Sequence, residues 1–448
     1  MAEIAPFRGF RYNQERVPDL SEVVIPPYDV ISKREQELFY ERSSFNMIRL
    51  ELGKSTREDS EQNNPHTRAA QHLQDWLKER ILIRDDQPAI YYYELDYSLT
   101  PQTRQTRYGF MCLLRLEDFA SGGVRPHERT FQAIKDERLR LMLTAQANLS
   151  PVFALYADPA QLVDHHLKDG RETEPLFCFK DDNGMEHRIW RVRNLRVLRQ
   201  VKSLMLDKAI FIADGHHRYE TALNYRNIQR ERFESGGPQA SYEYIMVYLS
   251  NMNQGGLTIL PTHRLLRSLN SWEPDLFLKQ AQSFFEILSY TATESGQQEW
   301  RSKLELAKLR KETAIGFYSR KVNAFYLLKA KRSTVSSYLA RREIPEILHD
   351  LDVVVLDEVI LRHLLGLSEV LLGDENNIHF KHDLVDALLK VQSGEYEVGF
   401  FINPTRIEQV QEVATAGLIM PHKSTYFYPK VGSGLIINPL YPGEEVFV

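Results

Sequence analysis

Two cysteines, Cys112 and Cys178, in 448 residues exclude a disulfide framework and leave too few thiolates for a metal site unless other ligand types join them. No uninterrupted apolar run approaches the ~20 residues needed to span a bilayer. The opening MAEIAPFRGF lacks the basic-then-apolar order of a secretory leader, so a cytoplasmic protein with no membrane partner is expected. Charge of one sign is also scarce. Sixty-one acidic against 56 basic residues leave −5, which disfavours generic nucleic-acid binding while allowing a local cationic pocket for a small anion. The familiar signatures GxxxxGK(S/T), GxGxxG, the kinase catalytic-loop set, the GxSxG elbow and HExxH are all missing, which disfavours the common ATPase, dehydrogenase, hydrolase and zincin plans. What remains is a chain with 43% hydrophobic residues, long enough to bury a large core in two or three domains.

The pattern along the chain mixes both periodicities. VVIPPYDVI runs a β-branched pair into two prolines that should end a strand and hold Tyr28 and Asp29 in a turn. ISKREQELFYER reads as a helix, residues 55–64 as a loop, and AAQHLQDWLKERIL as a helix with Ala70, Leu73, Trp76, Leu77 and Ile81 along its apolar stripe. AIYYYELDYS and RYGFMCLLRLEDF form a hairpin pattern around the polar TPQTRQT, which predicts a longer loop. KDERLRLMLTAQANLS is a helix followed by the strand PVFALY, and residues 206–214 are a short apolar strand turning into the helix HHRYETALNYRNIQRERF. SYEYIMVYLS and Leu257 to Leu260 read as strands, with Pro261, Thr262, His263 and Arg264 leading into a helix. Residues 270–312 read as mostly helical, ETAIGFYS with NAFYLLKA as a hairpin, LDVVVLDEVILRHLL and DLVDALLKVQ as helices, and YEVGFFINP as a strand before a helix around IEQVQEVA. No repeat or sustained heptad is visible. An α+β fold with mixed, largely antiparallel sheets and packed helices is expected. Residues 1–268 form its main region and 269–448 a C-terminal α+β subdomain, or the two build one integrated unit.

The sharpest chemical feature is Asp214-Gly215-His216-His217-Arg218-Tyr219-Glu220, which puts an acid, two imidazoles and a guanidinium at one strand-to-helix corner. Gly215 lets a backbone approach a ligand, the amides of a first helical turn favour an anion, and Arg218 adds a planar fork for phosphate or carboxylate. His216 and His217 stand four and three residues before Glu220, which allows a carboxylate to orient either imidazole or to share a metal with it. A capping network of internal salt bridges would use the same residues. A second cluster, Pro126-His127-Glu128-Arg129-Thr130, follows Gly122 and Gly123. His127 offers proton exchange, Glu128 a partner or ligand, and Arg129, Lys135 or Arg138 phosphate neutralisation; a solvated charged loop is the alternative. A third, Thr262-His263-Arg264, lies just past a strand, where threonine can cap or line a pocket. Tyr28, Asp29, His422, Lys423, Ser424 and Thr425 are lesser candidates, because proline turns and terminal basic segments are common for structural reasons.

The motifs PFRGFRYN (6–13), VIPPYDVIS (24–32), FNMIRLELG (45–53), HERT (127–130), IADGHHRYETAL (212–223), LTILPTHR (257–264) and MPHKSTYFYPK (420–430) together resemble the uncharacterised DUF1015 family. The DGHHR string is also similar to the phosphate-contacting corner of the ParB and sulfiredoxin-like superfamily, particularly the form in free-serine kinases. That resemblance implies an elaborated ParB/sulfiredoxin-like core binding ATP or ADP with Mg2+, with Gly215, His216, His217 and Arg218 on phosphate and Asp214 orienting metal or substrate. It further implies phosphoryl transfer to a small amino-acid or phosphate-bearing substrate. Joined to the residue reading, the catalytic set would be His127, Glu128, Asp214, His217 and Glu220. Gly215, His216, Arg218, Arg129, Arg138, Thr262, His263 and Lys423 would bind the cofactor, and Asp214 with Glu220 a metal. A metal-dependent phosphohydrolase and a noncatalytic, nucleotide-responsive ParB-like regulator are the competing readings.

Overall fold

The computed structural model describes residues 2–447 except 101, 129, 234–236, 268, 270–272, 323, 373–376, 422 and 442. Its chain forms two compact units: unit 1 comprises Met1–Pro126, Thr130–Leu257 and Pro429–Val448, and unit 2 comprises His127–Arg129 and Thr258–Tyr428.

Unit 1 is built on a nine-stranded sheet. Its strands are β1 (Ile4–Ala5), β2 (Ile90–Thr100), β3 (Thr103–Arg115), β4 (Val124–Arg125), β5 (Val152–Tyr156), β6 (Phe177–Lys180), β7 (Glu186–Val192), β8 (Ile210–Asp214) and β9 (Tyr244–Asn251). They run in the order β4-β8-β5-β9-β3-β2-β7-β6, with β1 on β3. Only β4 with β8 and β5 with β9 are parallel. The expected hairpin forms, but its pairing continues to Thr100 opposite Thr103, so the TRQT segment read as loop is strand. Its threonines suit a ladder, and the partner strand was already committed. β5, β9 and the parts of β2 and β3 away from their connecting turn are buried on both faces, which explains why they read as near-continuous apolar runs. On one face Tyr92, Phe110, Cys112, Leu114, Ala154, Tyr156, Val247 and Leu249 pack in a common core with helices Leu162–Gly170, Leu195–Met205 and His216–Arg232, through Val163, Leu167, Leu198, Val201, Tyr219 and Ala222. The helix Pro65–Lys78 starts on an Asn64 cap and buries Ala69, Leu73 and Trp76, so the stripe falls on Ala69 rather than Ala70, and Ile81 lies beyond the helix end.

Unit 2 holds a wholly antiparallel six-stranded sheet, in the order Phe285–Thr291, Ala324–Ala330, Ala314–Ser319, Val398–Ile402, His263–Leu266, Ile378–Lys381. A separate ribbon pairs Thr258–Leu260 with Tyr426–Tyr428. Helix Glu294–Leu309 seats Trp300 on this sheet, stacked on Phe325 at 5.2 Å and edge-on to Phe401 at 5.3 Å, with its indole N–H donated to the Tyr326 carbonyl. Two expectations are corrected here. The segment after Pro261 enters a strand, because His263–Leu266 finds a paired neighbour on each side. Residues 270–312 are interrupted by the strand Phe285–Thr291, whose aromatic and branched residues pair along their whole length with Ala324–Ala330. In both places a ladder available only in the folded chain overrides a locally helical pattern. LDVVVLDEVILRHLL is helical as expected, its ten residues Val355–Leu364 being wound as a π-helix. Among the described residues no helix is long and apolar enough to cross a membrane.

Candidate functional site in unit 1

The corner at Asp214 begins with the buried strand residues Ile210, Phe211, Ile212 and Ala213. Phe211 pairs with Leu155 and Ile212 with Ala154, but Asp214 pairs with Phe153, leaving Ala213 as the extra residue of a β-bulge. A bulge re-aims the side chain after it. Gly215 then takes the left-handed conformation, φ +88°, and, as the N-cap residue, opens helix His216–Arg232 without a capping side chain of its own. A Cβ at Gly215 would lie 2.8–2.9 Å from the Arg218 guanidinium, so glycine is required by space as well as by conformation.

Two cations hold the Asp214 carboxylate. Arg218 Nη2 donates to Oδ2 at 2.7 Å and Lys430 Nζ to Oδ1, while Arg218 Nη1 donates to the Pro151 carbonyl. Burial would lower the Arg218 pKa, but Asp214, Asp29, Tyr28 and Glu51 more than offset it, and the guanidinium sits above its ordinary value. Next to this pair lies a second ionic group. Arg138, also buried, donates from Nη1 to the Glu51 carbonyl at 2.9 Å, from Nη2 to Glu137 at 2.6 Å, and stacks over the Tyr28 ring at 4.1 Å. Glu51 is 3% exposed; its Oε1 accepts from Ser150 at 3.1 Å and its Oε2 is buried with no hydrogen-bond partner. Burial pushes its carboxyl up, opposed by Arg138 and Arg218. Ser150 and Pro151 therefore tie the two charged groups together, one through its hydroxyl and the other through its carbonyl.

His216 is buried. His217 accepts the Phe131 backbone N–H at Nε2, 2.9 Å, so its neutral form carries the proton on Nδ1, and its ring stacks on Phe131. Both oxygens of Glu220 are engaged away from the two imidazoles: Oε1 accepts from Thr130 at 2.9 Å and Oε2 pairs with Lys135 at 2.7 Å. Among the described residues no group of three His, Cys, Asp or Glu is placed to hold a metal ion.

The other candidates belong to unit 2. His127 is fully buried with Nε2 2.9 Å from the Thr425 hydroxyl, and Glu128 accepts the Lys423 backbone N–H at 3.4 Å. Arg264 donates to the Lys423 carbonyl at 3.1 Å and to that of Thr262. Thr262 is buried, its hydroxyl 3.5 Å from His382 Nδ1. His263 accepts the Ile402 N–H at Nδ1, packs on Phe401, and is held down to about 3 by burial, with Arg264 and His382 adding to the effect. That is a neutral histidine of the sheet interior. Arg129 and His422 lie outside the described residues. Unit 1 thus brings together Asp214, Gly215, Arg218 and Arg138 with the lesser candidates Tyr28 and Asp29, and unit 2 brings together His127, Glu128, Thr262, Arg264 and Lys423. Sequence reasoning missed Lys430, Glu51 and Ser150. Lys430 closes the MPHKSTYFYPK motif, which was its only signal.

A nine-stranded α+β unit that gathers buried cations and carboxylates at a strand-to-helix corner is the class of protein these features define. The chain belongs to DUF1015, described as a protein of unknown function, which matches residues 4–354. Among solved structures it is similar to a conserved hypothetical protein from Pyrococcus furiosus, at 11% identity and TM-score 0.32, covering 69% of this chain and 90% of that one. It is similar also to a free serine kinase in complex with AMP, at 11% identity and TM-score 0.31, covering 68% and 83%. A third is SbnI with C-terminal truncation from Staphylococcus aureus, at 9% identity and TM-score 0.34, covering 74% and 87%. None of the curated proteins matches.

Proposed function

We propose that unit 1 is a small-molecule phosphotransferase that binds the phosphates of ATP or ADP at the Asp214–Arg218 corner and phosphorylates a small amino-acid-like substrate, free serine being the first to try. The observation that carries this reading is the first turn of helix His216–Arg232, entered through left-handed Gly215, which brings no side chain of its own over it, and flanked by Arg218 and Lys430. The amides of a first helical turn, a glycine without a side chain and two cations are the elements a phosphate requires. Transfer of a phosphoryl group asks mainly for positioning and charge neutralisation. Mg2+, which takes one or two carboxylates together with phosphate oxygens, would find Asp214 at this corner and would supply further neutralisation.

In this reading Arg218 and Lys430 offset phosphate charge while Asp214 keeps both oriented. Glu51, a buried carboxyl with a raised pKa and one unpartnered oxygen, is suited to accept a proton from a substrate hydroxyl. The test is equilibrium binding of ATP, ADP and AMP to the full chain, followed by serine-dependent nucleotide turnover with and without Mg2+. Nucleotide binding with phosphoserine formation is the expected result. Failure to bind any nucleotide would overturn it. Release of inorganic phosphate from a phosphoester without nucleotide would favour the phosphohydrolase, and nucleotide-controlled, salt-sensitive DNA association the regulator.

A further inference from the structure

Arg107 is the most deeply buried cation of unit 1, with 0% exposure. It lies on β3 on the same face as Gly109 and Met111. Its Nη1 donates to the Pro429 carbonyl, and its guanidinium carbon lies 4.8 Å from the ring centre of Phe153 and 5.3 Å from that of Tyr248. Nε and Nη2 are buried with no hydrogen-bond partner, and the buried Tyr248 hydroxyl faces the guanidinium: burial raises its pKa, while Arg107 and Ser250 beside it act in the opposite direction. No carboxylate among the described residues forms an ion pair with it. A guanidinium does not deprotonate in a protein, so this charge stays in the interior. Contact with two aromatic faces recovers only part of what its removal from water costs.

The unpaired atoms are the informative ones. Nε–H and Nη2–H form one edge of the guanidinium, two parallel donors at the spacing of the two oxygens of a carboxylate. The edge belongs to the same site as Asp214. Pro429, which receives Nη1, immediately precedes Lys430, which pairs with Asp214; Phe153, under the guanidinium, is the register partner of Asp214 on one side and of Tyr248 on the other. A Cβ at Gly109 would collide with the Tyr248 ring, so glycine is what allows this tyrosine to lie across β3 towards Arg107.

We infer that the Nε/Nη2 edge of Arg107 is the binding fork for the carboxylate of the small substrate, with the Tyr248 hydroxyl beside it as a third donor. This deepens the reading of unit 1 as a small-molecule site by assigning the substrate class, an amino or hydroxy acid, but its test does not depend on phosphoryl transfer. The fork, being fully enclosed, holds a carboxylate stripped of water, where a two-point contact discriminates most strongly against a ligand lacking the group.

The experiment is thermal unfolding of the full chain in chloride buffer free of other anions, with formate, acetate, L-serine or inorganic phosphate added, for the wild type, Arg107→Met and Arg107→Lys. The wild type should be stabilised by the carboxylates. Arg107→Met, which removes an uncompensated charge, should unfold no lower than the wild type in chloride alone and should lose the carboxylate response while keeping any response to phosphate. Arg107→Lys keeps the charge without the fork and should bind carboxylates about 10- to 100-fold more weakly. A wild type indifferent to all three carboxylates would overturn the inference. So would an Arg107→Met protein that loses the phosphate response and keeps the carboxylate one, or one that is destabilised in chloride with the carboxylate response of Arg107→Lys unchanged. Carboxylate binding that depends on Arg107, in a protein that transfers no phosphoryl group, would leave the fork standing and remove only the phosphotransferase.

Discussion

At the scale of single residues, two histidines from different motifs meet different fates. His217 lends Nε2 to a backbone N–H at the mouth of a helix, whereas His263 is sealed into the sheet of unit 2. The pair Thr262-His263 was legible as polar residues after a strand, but an imidazole in a strand interior and one in a pocket have the same sequence, and only the neighbours Phe401 and Ile402 separate them. The state of His263 has a measurable consequence. Its folded pKa, about 3, lies below the ordinary 6.5, so the unfolded chain takes up the proton first. The stability that neutral His263 contributes is complete above about pH 6.5 and is lost as pH falls towards 3, by about 1.4 kcal/mol per pH unit. Replacing it by His263→Gln keeps an acceptor for the Ile402 N–H and removes the titration. Urea unfolding between pH 6 and 4 should show a shallower loss of stability in the variant, by close to one proton; equal slopes would place the titration elsewhere. Arg107 is the converse case. The alternation of RYGFMCLL puts it on a face with Gly109 and Met111, and a charge at an inward strand position was the signal that went unused.

At the scale of elements, the strand-turn-helix at 210–232 was legible because each part has a local cause: an apolar β-prone run, a glycine, and a long helical segment. The bulge at Ala213 was not, since it exists only relative to the register of β5. Gly215 is the position where element geometry and site chemistry meet. Gly215→Ala forces an L-residue to φ +88° and sets a methyl 2.8 Å from Arg218. The strain is about 1–2 kcal/mol before the clash is counted. Chemical denaturation should register at least that loss, and phosphate or nucleotide affinity should fall about tenfold or more as Arg218 is displaced. Unchanged affinity would detach the corner from ligand binding. The strands at His263–Leu266 and Phe285–Thr291 repeat the lesson of the bulge, because their pairing partners lie more than thirty residues away and local propensity carries no record of them.

At the scale of the whole molecule, both units are interleaved along the chain: His127–Arg129 belongs to unit 2, Thr130 to unit 1, and the chain returns to unit 1 at Pro429. The returning segment supplies Lys430 to Asp214, and the Pro429 carbonyl to Arg107, so residues near the C-terminus contribute to the candidate site of unit 1. Ligand binding should therefore be visible as a pattern. A nucleotide at about one hundred times its Kd stabilises the protein that binds it by about 2.7 kcal/mol. Hydrogen exchange with saturating ADP should slow in residues 210–220, 149–154 and 429–431, and leave the strands 285–291 and 324–330 of unit 2 unchanged. Protection confined to unit 2 would move the nucleotide site away from the Asp214 corner.

The sequence by itself determined what is local or cumulative. Helices and strands with a strong apolar period, the α+β class, the scarcity of thiols and the concentration of charge at 214–220 all follow from side-chain type and spacing within a few residues. Only the tertiary structure decided which strands pair beyond the two hairpins, where the extra residue of the bulge falls, and that Lys430, Arg218 and Asp214 form one ionic group while Arg107 is buried without a counter-charge. The reason is physical: the energy of a charge depends on what surrounds it in three dimensions, and the residues that surround these charges come from segments up to 322 positions apart.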